Sequence, residues 1–153
     1  MSIKRQKHNQ GQFIPKFPKK YVGSYPIVVR SHWERLMCQW LDCNNGVLEW
    51  SSENIVIQYY DPVQMKKRRY YPDFFTRMKT PRGIDEYVIE VKPHKETKPP
   101  SKRGKKSAKT KLYQEATYLT NQAKFKAAEK WCNKMGYKFK VLTEKQMFRK
   151  GKK

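Results

Sequence analysis

The stretch Tyr70–Lys92, YYPDFFTRMKTPRGIDEYVIEVK, places Asp73 in an aromatic run and Glu90 and Lys92 inside the apolar run VIEVK. A strand sends alternate side chains to opposite faces, so Glu90 and Lys92 share a face with Val88 while Ile89 and Val91 point the other way. Two charges then stand where a buried strand is normally apolar, which is costly unless they have a partner such as a metal ion. The break in the pattern marks a site. The competing reading is an exposed cross-strand ion pair.

Hard carboxylate and carbonyl oxygens are what Mg²⁺ prefers. Asp73 and Glu90 supply two carboxylates, and the carbonyl of Val91 is a further donor. An ion held there polarises a phosphodiester and lowers the pKa of a bound water. Lys92 suits orienting that water or stabilising charge on the pentavalent transition state. This is hydrolytic phosphodiester chemistry.

Several elements must position these groups. In SHWERLMCQWLDCNNG, Trp33, Leu36, Met37, Trp40 and Leu41 recur at helical spacing, with Ser31 as N-cap and Asn44-Asn45-Gly46 as the stop. Ser31 and Glu34 have the spacing of a capping box, so satisfying the helix N-terminus is one job for Glu34. His32 reads as a surface residue at the helix start. Val47–Trp50, Asn54–Tyr60 and Lys67–Met78 have the composition of strands, with Asp61-Pro62 turning between the last two. Pro72 cannot join a central ladder, which predicts an edge or bulge immediately before Asp73. Thr80-Pro81-Arg82-Gly83 then turns the chain into DEYVIEVKP, an antiparallel pairing that brings Asp73 close to Glu90.

Leu112–Met135 is a long helix by the spacing of Leu112, Ala116, Leu119, Ala123, Ala127 and Trp131. Gly136 ends it, Tyr137–Leu142 alternates as a final strand, and Thr143-Glu144 opens a short helix. The domain organisation expected is a basic, irregular arm over 1–25, a single domain over 26–146 with a basic loop at 93–111, and a basic tail over 147–153. The 153 residues suffice for one core.

Lys and Arg number 35 against 13 Asp and Glu, a formal charge of +22, and mean hydropathy is -1.01. Such an excess is neutralised by a polyanion, and nucleic acid leads. The lysine-rich segments suit backbone contacts with little sequence specificity. No apolar stretch approaches the ~18 residues of a spanning helix and the N-terminus has no apolar signal core, so the expectation is a soluble chain acting in the cytoplasm or an assembly built there. Cys38, Cys43 and Cys132 form no C-x-x-C pair and read as reduced structural thiols.

Pro72-Asp73 followed by Glu90-Val91-Lys92 resembles the PD-(D/E)xK nuclease signature. The blocks RSHWE, YPDFF and YVIEVKP are most similar to its TnsA-like branch. The whole chain, basic ends included, resembles the head-completion nucleases of T4-type tailed phages. The resemblance implies a restriction-endonuclease-like α/β core, a mostly antiparallel or mixed sheet flanked by helices in the order α-β-β-β-α-β. It implies Asp73, Glu90, Lys92 and Glu34 as catalytic residues, with Asp73, Glu90, Val91 and Glu34 around Mg²⁺, or Mn²⁺ as its substitute. Under it, Glu34 is favoured as a metal or metal-water residue over pure capping. It further implies duplex DNA as substrate, proteins of the phage head and portal vertex as partners, and a place in the virion head and in host cytoplasm during assembly.

Three functions are then weighed: a metal-dependent DNA endonuclease or trimming nuclease, a non-catalytic DNA-gripping head plug on the same fold, and a junction resolvase. Gln114 and Tyr118 also reproduce a Q-x-x-x-Y spacing seen in RecB-like exonucleases. Residues four apart share a helix face, which makes Gln114 a candidate neighbour of the site.

Overall fold

The computed structural model describes residues 11–101 and 104–147. The first ten residues, Lys102-Arg103 of the basic loop and most of the expected C-terminal tail lie outside them. The elements run β1 (Gly11–Phe13), β2 (Ile27–Val29), α1 (His32–Cys43), β3 (Val47–Ser52), β4 (Ile57–Asp61), β5 (Lys66–Tyr70), β6 (Phe74–Thr80), β7 (Gly83–Val91), α2 (Ala108–Met135), β8 (Lys138–Leu142) and α3 (Glu144–Met147). A four-stranded sheet in the order β3-β6-β7-β8 carries the α/β core, antiparallel except for the parallel pair β7-β8. The parallel pair needs a crossover, and α2 supplies it.

The expected strand Lys67–Met78 is two strands in two sheets. Among the described residues β5 pairs only with β4, as a separate hairpin, and the chain passes through Tyr71-Pro72-Asp73 into β6 of the main sheet. Pro72, without an N–H, suits this break better than a bulge inside one strand.

The arm expected to be irregular is structured in part. β1 pairs antiparallel with β2, and Pro18–Lys20 forms a short 3-10 turn. Asp42, 1% exposed on α1, anchors the arm by accepting from the backbone N–H groups of Lys16 (2.8 Å) and Phe17 (3.1 Å). The Lys20 ammonium donates to the carbonyls of Asp42 and Asn44 at 2.8 Å each, covering acceptors that the helix end leaves open. Phe13 and Tyr21 from this arm meet Trp50 edge-on, with ring centroids 5.9 and 4.8 Å apart, at the centre of the main core. Because Asp42 is pulled inward, α1 buries Met37, Cys38, Leu41 and Asp42, while Trp40 of the predicted apolar stripe is left 46% exposed.

A second apolar cluster joins the β4-β5 hairpin to α2. Ile57, Tyr59, Tyr70 and Ala128 are buried there, with Ala123, Ala127, Trp131 and Phe139 packed around them. α2 begins a turn before the predicted Leu112, because Ser107 caps it by accepting from Thr110 N–H. Gly136 ends it in the left-handed conformation, φ 77°, where glycine has no Cβ penalty. Cys38 and Cys132 are buried free thiols and Cys43 is an exposed one.

Candidate active site

Asp73 and Glu90 meet where the two clusters adjoin. In the β6-β7 hairpin Phe74 is opposite Ile89, so Asp73, one residue before β6, reaches the end of β7. Its Oδ2 accepts from Val91 N–H at 2.7 Å. Glu90, 7% exposed, lies on the face of β7 that looks toward the hairpin and α2, opposite to Ile89 in the main core. Its Oε1 accepts from the Tyr70 hydroxyl at 2.6 Å, and its Oε2 stands 3.6 Å from Lys92 Nζ. The expected grouping of Asp73, Glu90, Val91 and Lys92 is therefore formed.

Both carboxyls are held in surroundings that disfavour their ionised forms. Burial pushes the Asp73 carboxyl well above the ordinary range, and the Glu90 charge pushes it further; the Val91 N–H and Lys92 oppose this only in part. Burial also raises Glu90, against the Tyr70 hydroxyl, Lys92 and Lys124, which favour its ionised form. Two neighbouring carboxyls that both resist ionising are relieved by a bound divalent ion.

Glu34 lies at the start of α1. Its carboxylate accepts from Arg30 N–H at 3.2 Å and from the Ser31 hydroxyl at 3.3 Å, while Ser31 Oγ accepts from Glu34 N–H at 3.1 Å. Ser31 thus caps the helix, and the Glu34 carboxylate turns back onto Arg30 and Ser31. Its charge still contributes to raising Asp73. Among the described residues no cluster of three or more His, Cys, Asp or Glu side chains is placed to hold a metal. Mg²⁺ commonly takes one or two carboxylates and fills its remaining positions with water and substrate oxygens, so Asp73, Glu90 and the Val91 carbonyl fit it.

Two neighbours of the site escaped the sequence reading. Tyr70 ends β5 fully packed, and burial, then the Glu90 charge, pushes its hydroxyl far up, keeping it a donor. Lys124 on α2 places Nζ 5.6 Å from the centre of the Tyr70 ring and 5.9 Å from that of Tyr59, cation-π contacts that hold it against the hairpin. Burial and then Lys92 lower its pKa. An aromatic run before Pro72 was a weak sign of Tyr70. Nothing distinguished Lys124 among the lysines of AKFKAAEKW. Gln114 accepts from Lys106 Nζ at 3.0 Å and lines a cavity with Tyr118, while His32 is exposed at the first turn of α1.

A family model described as the TnsA-like endonuclease N-terminal domain matches residues 44–144. The chain belongs to the TnsA-like endonuclease family. Asp73, Glu90, Val91 and Lys92 fall inside the matched span and Glu34 falls before it. The head completion nuclease of Enterobacteria phage T4 is 40% identical over 141 residues, covering 88% of this chain and 90% of that protein. This TnsA-like chain is thus a nuclease, with DNA as its substrate, and its mixed α/β architecture agrees with the expected restriction-endonuclease-like fold. Among the described residues no helix is long and apolar enough to cross a membrane.

Proposed function

We propose that the chain is a divalent-metal-dependent DNA nuclease that trims or cuts DNA during completion of the phage head, working at Asp73, Glu90 and Lys92. One observation carries the site assignment: two partly or fully buried carboxyls, both pushed toward protonation, converge beside a lysine at the end of β7. Asp73, Glu90 and the Val91 carbonyl would hold Mg²⁺, with Mn²⁺ as a substitute. When bound, the ion polarises the scissile phosphate and acidifies a water. Tyr70 fixes one oxygen of Glu90, which leaves the other turned toward Lys92. Lys92 orients the attacking water or neutralises charge gathering on the phosphate oxygens. Glu34 acts on Asp73 through its charge from the start of α1.

The assembly role rests on the 40% identity to a head completion nuclease over nearly the full length of both chains. On this reading the chain acts at the head, against proteins of the portal vertex, during assembly in the host cytoplasm. The charge of +22 supports a backbone-gripping mode without base reading.

Plasmid cleavage by wild-type and Asp73→Ala protein, with Mg²⁺, with Mn²⁺ and with EDTA at one salt concentration, tests the reading. Cleavage that needs the metal and disappears in Asp73→Ala is expected, with DNA binding retained. An Asp73→Ala protein that cuts like wild type refutes the site.

A further inference from the structure

α2 carries a polar stripe that the cleavage chemistry does not use. Two cavities of about 280 and 230 Å³ both include Tyr113, Thr117 and Asn121 in their walls, residues spaced four apart on one helix face. The first cavity opens between α2 and the 3-10 turn His94–Thr97, with Lys95 and Lys98 on its rim. The second opens toward the β4-β5 hairpin, with Arg68 on its rim and Lys124 at its inner end. Together they form a groove along α2 from Tyr113 to Lys124, about 16 Å at 1.5 Å per residue. Its inner end abuts the site, because Lys124 stacks on the Tyr70 ring whose hydroxyl holds Glu90.

The groove's lining is specific in character. Tyr113 is 71% exposed and presents an open ring face at the outer end. Asn121 is 4% exposed, makes no side-chain hydrogen bond among the described residues, and borders both cavities. Asp61, the acid in the second cavity, is already held by Val63 N–H, Gln64 N–H, Arg68 and Thr120. Glu96 is the remaining acid, against Lys95, Lys98, Arg68 and Lys124. Each cavity is smaller than the roughly 300–1,000 Å³ of a site that engulfs a small molecule. A cationic trench with an exposed aromatic ring and an unfilled amide suits one polynucleotide strand, whose bases stack on aromatic faces while its phosphates follow the cations. A duplex offers no free base faces to Tyr113.

We propose that this groove binds a single DNA strand leading away from the cut, with a base stacked on Tyr113 and the Asn121 amide hydrogen-bonding beside it. The proposal rests on the nuclease reading for its direction and names the substrate form: DNA with a frayed or single-stranded end. Binding of a fluorescein-labelled oligothymidylate and of a blunt duplex is measured by anisotropy in EDTA, for wild type, Tyr113→Ala and Lys98→Ala. Tyr113→Ala is expected to weaken oligothymidylate binding at least about fivefold, the lower end of a lost base stack, and duplex binding by less. Lys98→Ala is expected to weaken it and to flatten its salt dependence.

Wild-type protein that fails to bind oligothymidylate, or both variants binding like wild type, overturns the groove. The second result assigns this face to a protein partner instead. Asp73→Ala separates the two readings. If it still cuts DNA, the catalytic assignment fails while the groove is judged on its own binding data.

Discussion

Replacing Tyr70 by Phe removes one oxygen and nothing else. The ring stays packed edge-on against Tyr59, at 6.5 Å, and under Lys124. What goes is a 2.6 Å hydrogen bond to a buried carboxylate, the kind worth about 1.5–3 kcal/mol when one partner is charged. At about 1.4 kcal/mol per tenfold, that converts to roughly 10- to 100-fold in the apparent affinity of Glu90 for a divalent ion. Losses of that size are typical when the group orienting a metal ligand is removed. The sign with pH follows as well. The hydroxyl favours ionised Glu90, so without it the carboxyl rises further and the acid limb of cleavage moves to higher pH. Single-turnover cleavage of a labelled linear duplex, titrated with Mg²⁺ at several pH values, reads both effects. A Tyr70→Phe enzyme with wild-type metal dependence and an unmoved acid limb would show that Glu90 does not ligate the ion.

Three further outcomes follow from the same geometry. Asp73 and Glu90 are both raised in the folded protein, so the stability this pair contributes to the metal-free chain is fully present below the ordinary carboxylate range and is lost as pH rises through the folded values. At neutral pH, Mg²⁺ at about 100 times its Kd should raise Tm by roughly 5–10 °C, an increase that Asp73→Asn abolishes in a thermal-shift assay. Asp42→Ala strands the backbone N–H groups of Lys16 and Phe17 and should cost about 2–3 kcal/mol in urea unfolding, with earlier proteolysis of the N-terminal arm. Lys66 to Arg69 are all exposed on β5, so changing Lys66 and Lys67 together to Gln should reduce the slope of log binding constant against log salt by about two, equally for all duplex sequences.

Much of this was legible because the patterns were local. Helical spacing found α1 and α2, alternation found β8, the apolar run VIEVK found β7, and its charges singled out Glu90 and Lys92, which lie with Asp73 at the end of that strand. Pro72 predicts an edge or bulge beside Asp73, and the structure instead puts it between two sheets, because whether a proline bends a strand or separates two depends on partners distant in sequence. Nothing in the sequence around Asp42, an acid near the end of a helix, marks it as buried. Its burial comes from an arm 25 residues earlier folding back onto it. Lys124 was hidden for a similar reason: in a lysine-rich helix every lysine reads as solvated until the hairpin's aromatic rings cover one of them. Ser31 was legible as the N-cap, and its Oγ accepts from Glu34 N–H, while the Glu34 carboxylate turns back to Arg30 N–H and the Ser31 hydroxyl.

The order in which the chain can complete its site follows from the parallel pair. Asp73 and Glu90 are joined by a tight hairpin, a contact that closes a short loop and can form early. Glu90 lies opposite Val141 on β8, and the cover above it comes from α2, so its burial waits on a connection across some 50 residues. Such non-local pairings are the slow part of folding, and during synthesis they wait for nearly the whole chain. Until then the carboxyls remain hydrated, with ordinary affinity for protons and little reason to gather a metal. With the proposed site, nuclease activity is therefore acquired late, as a property of the finished domain and not of its emerging hairpin.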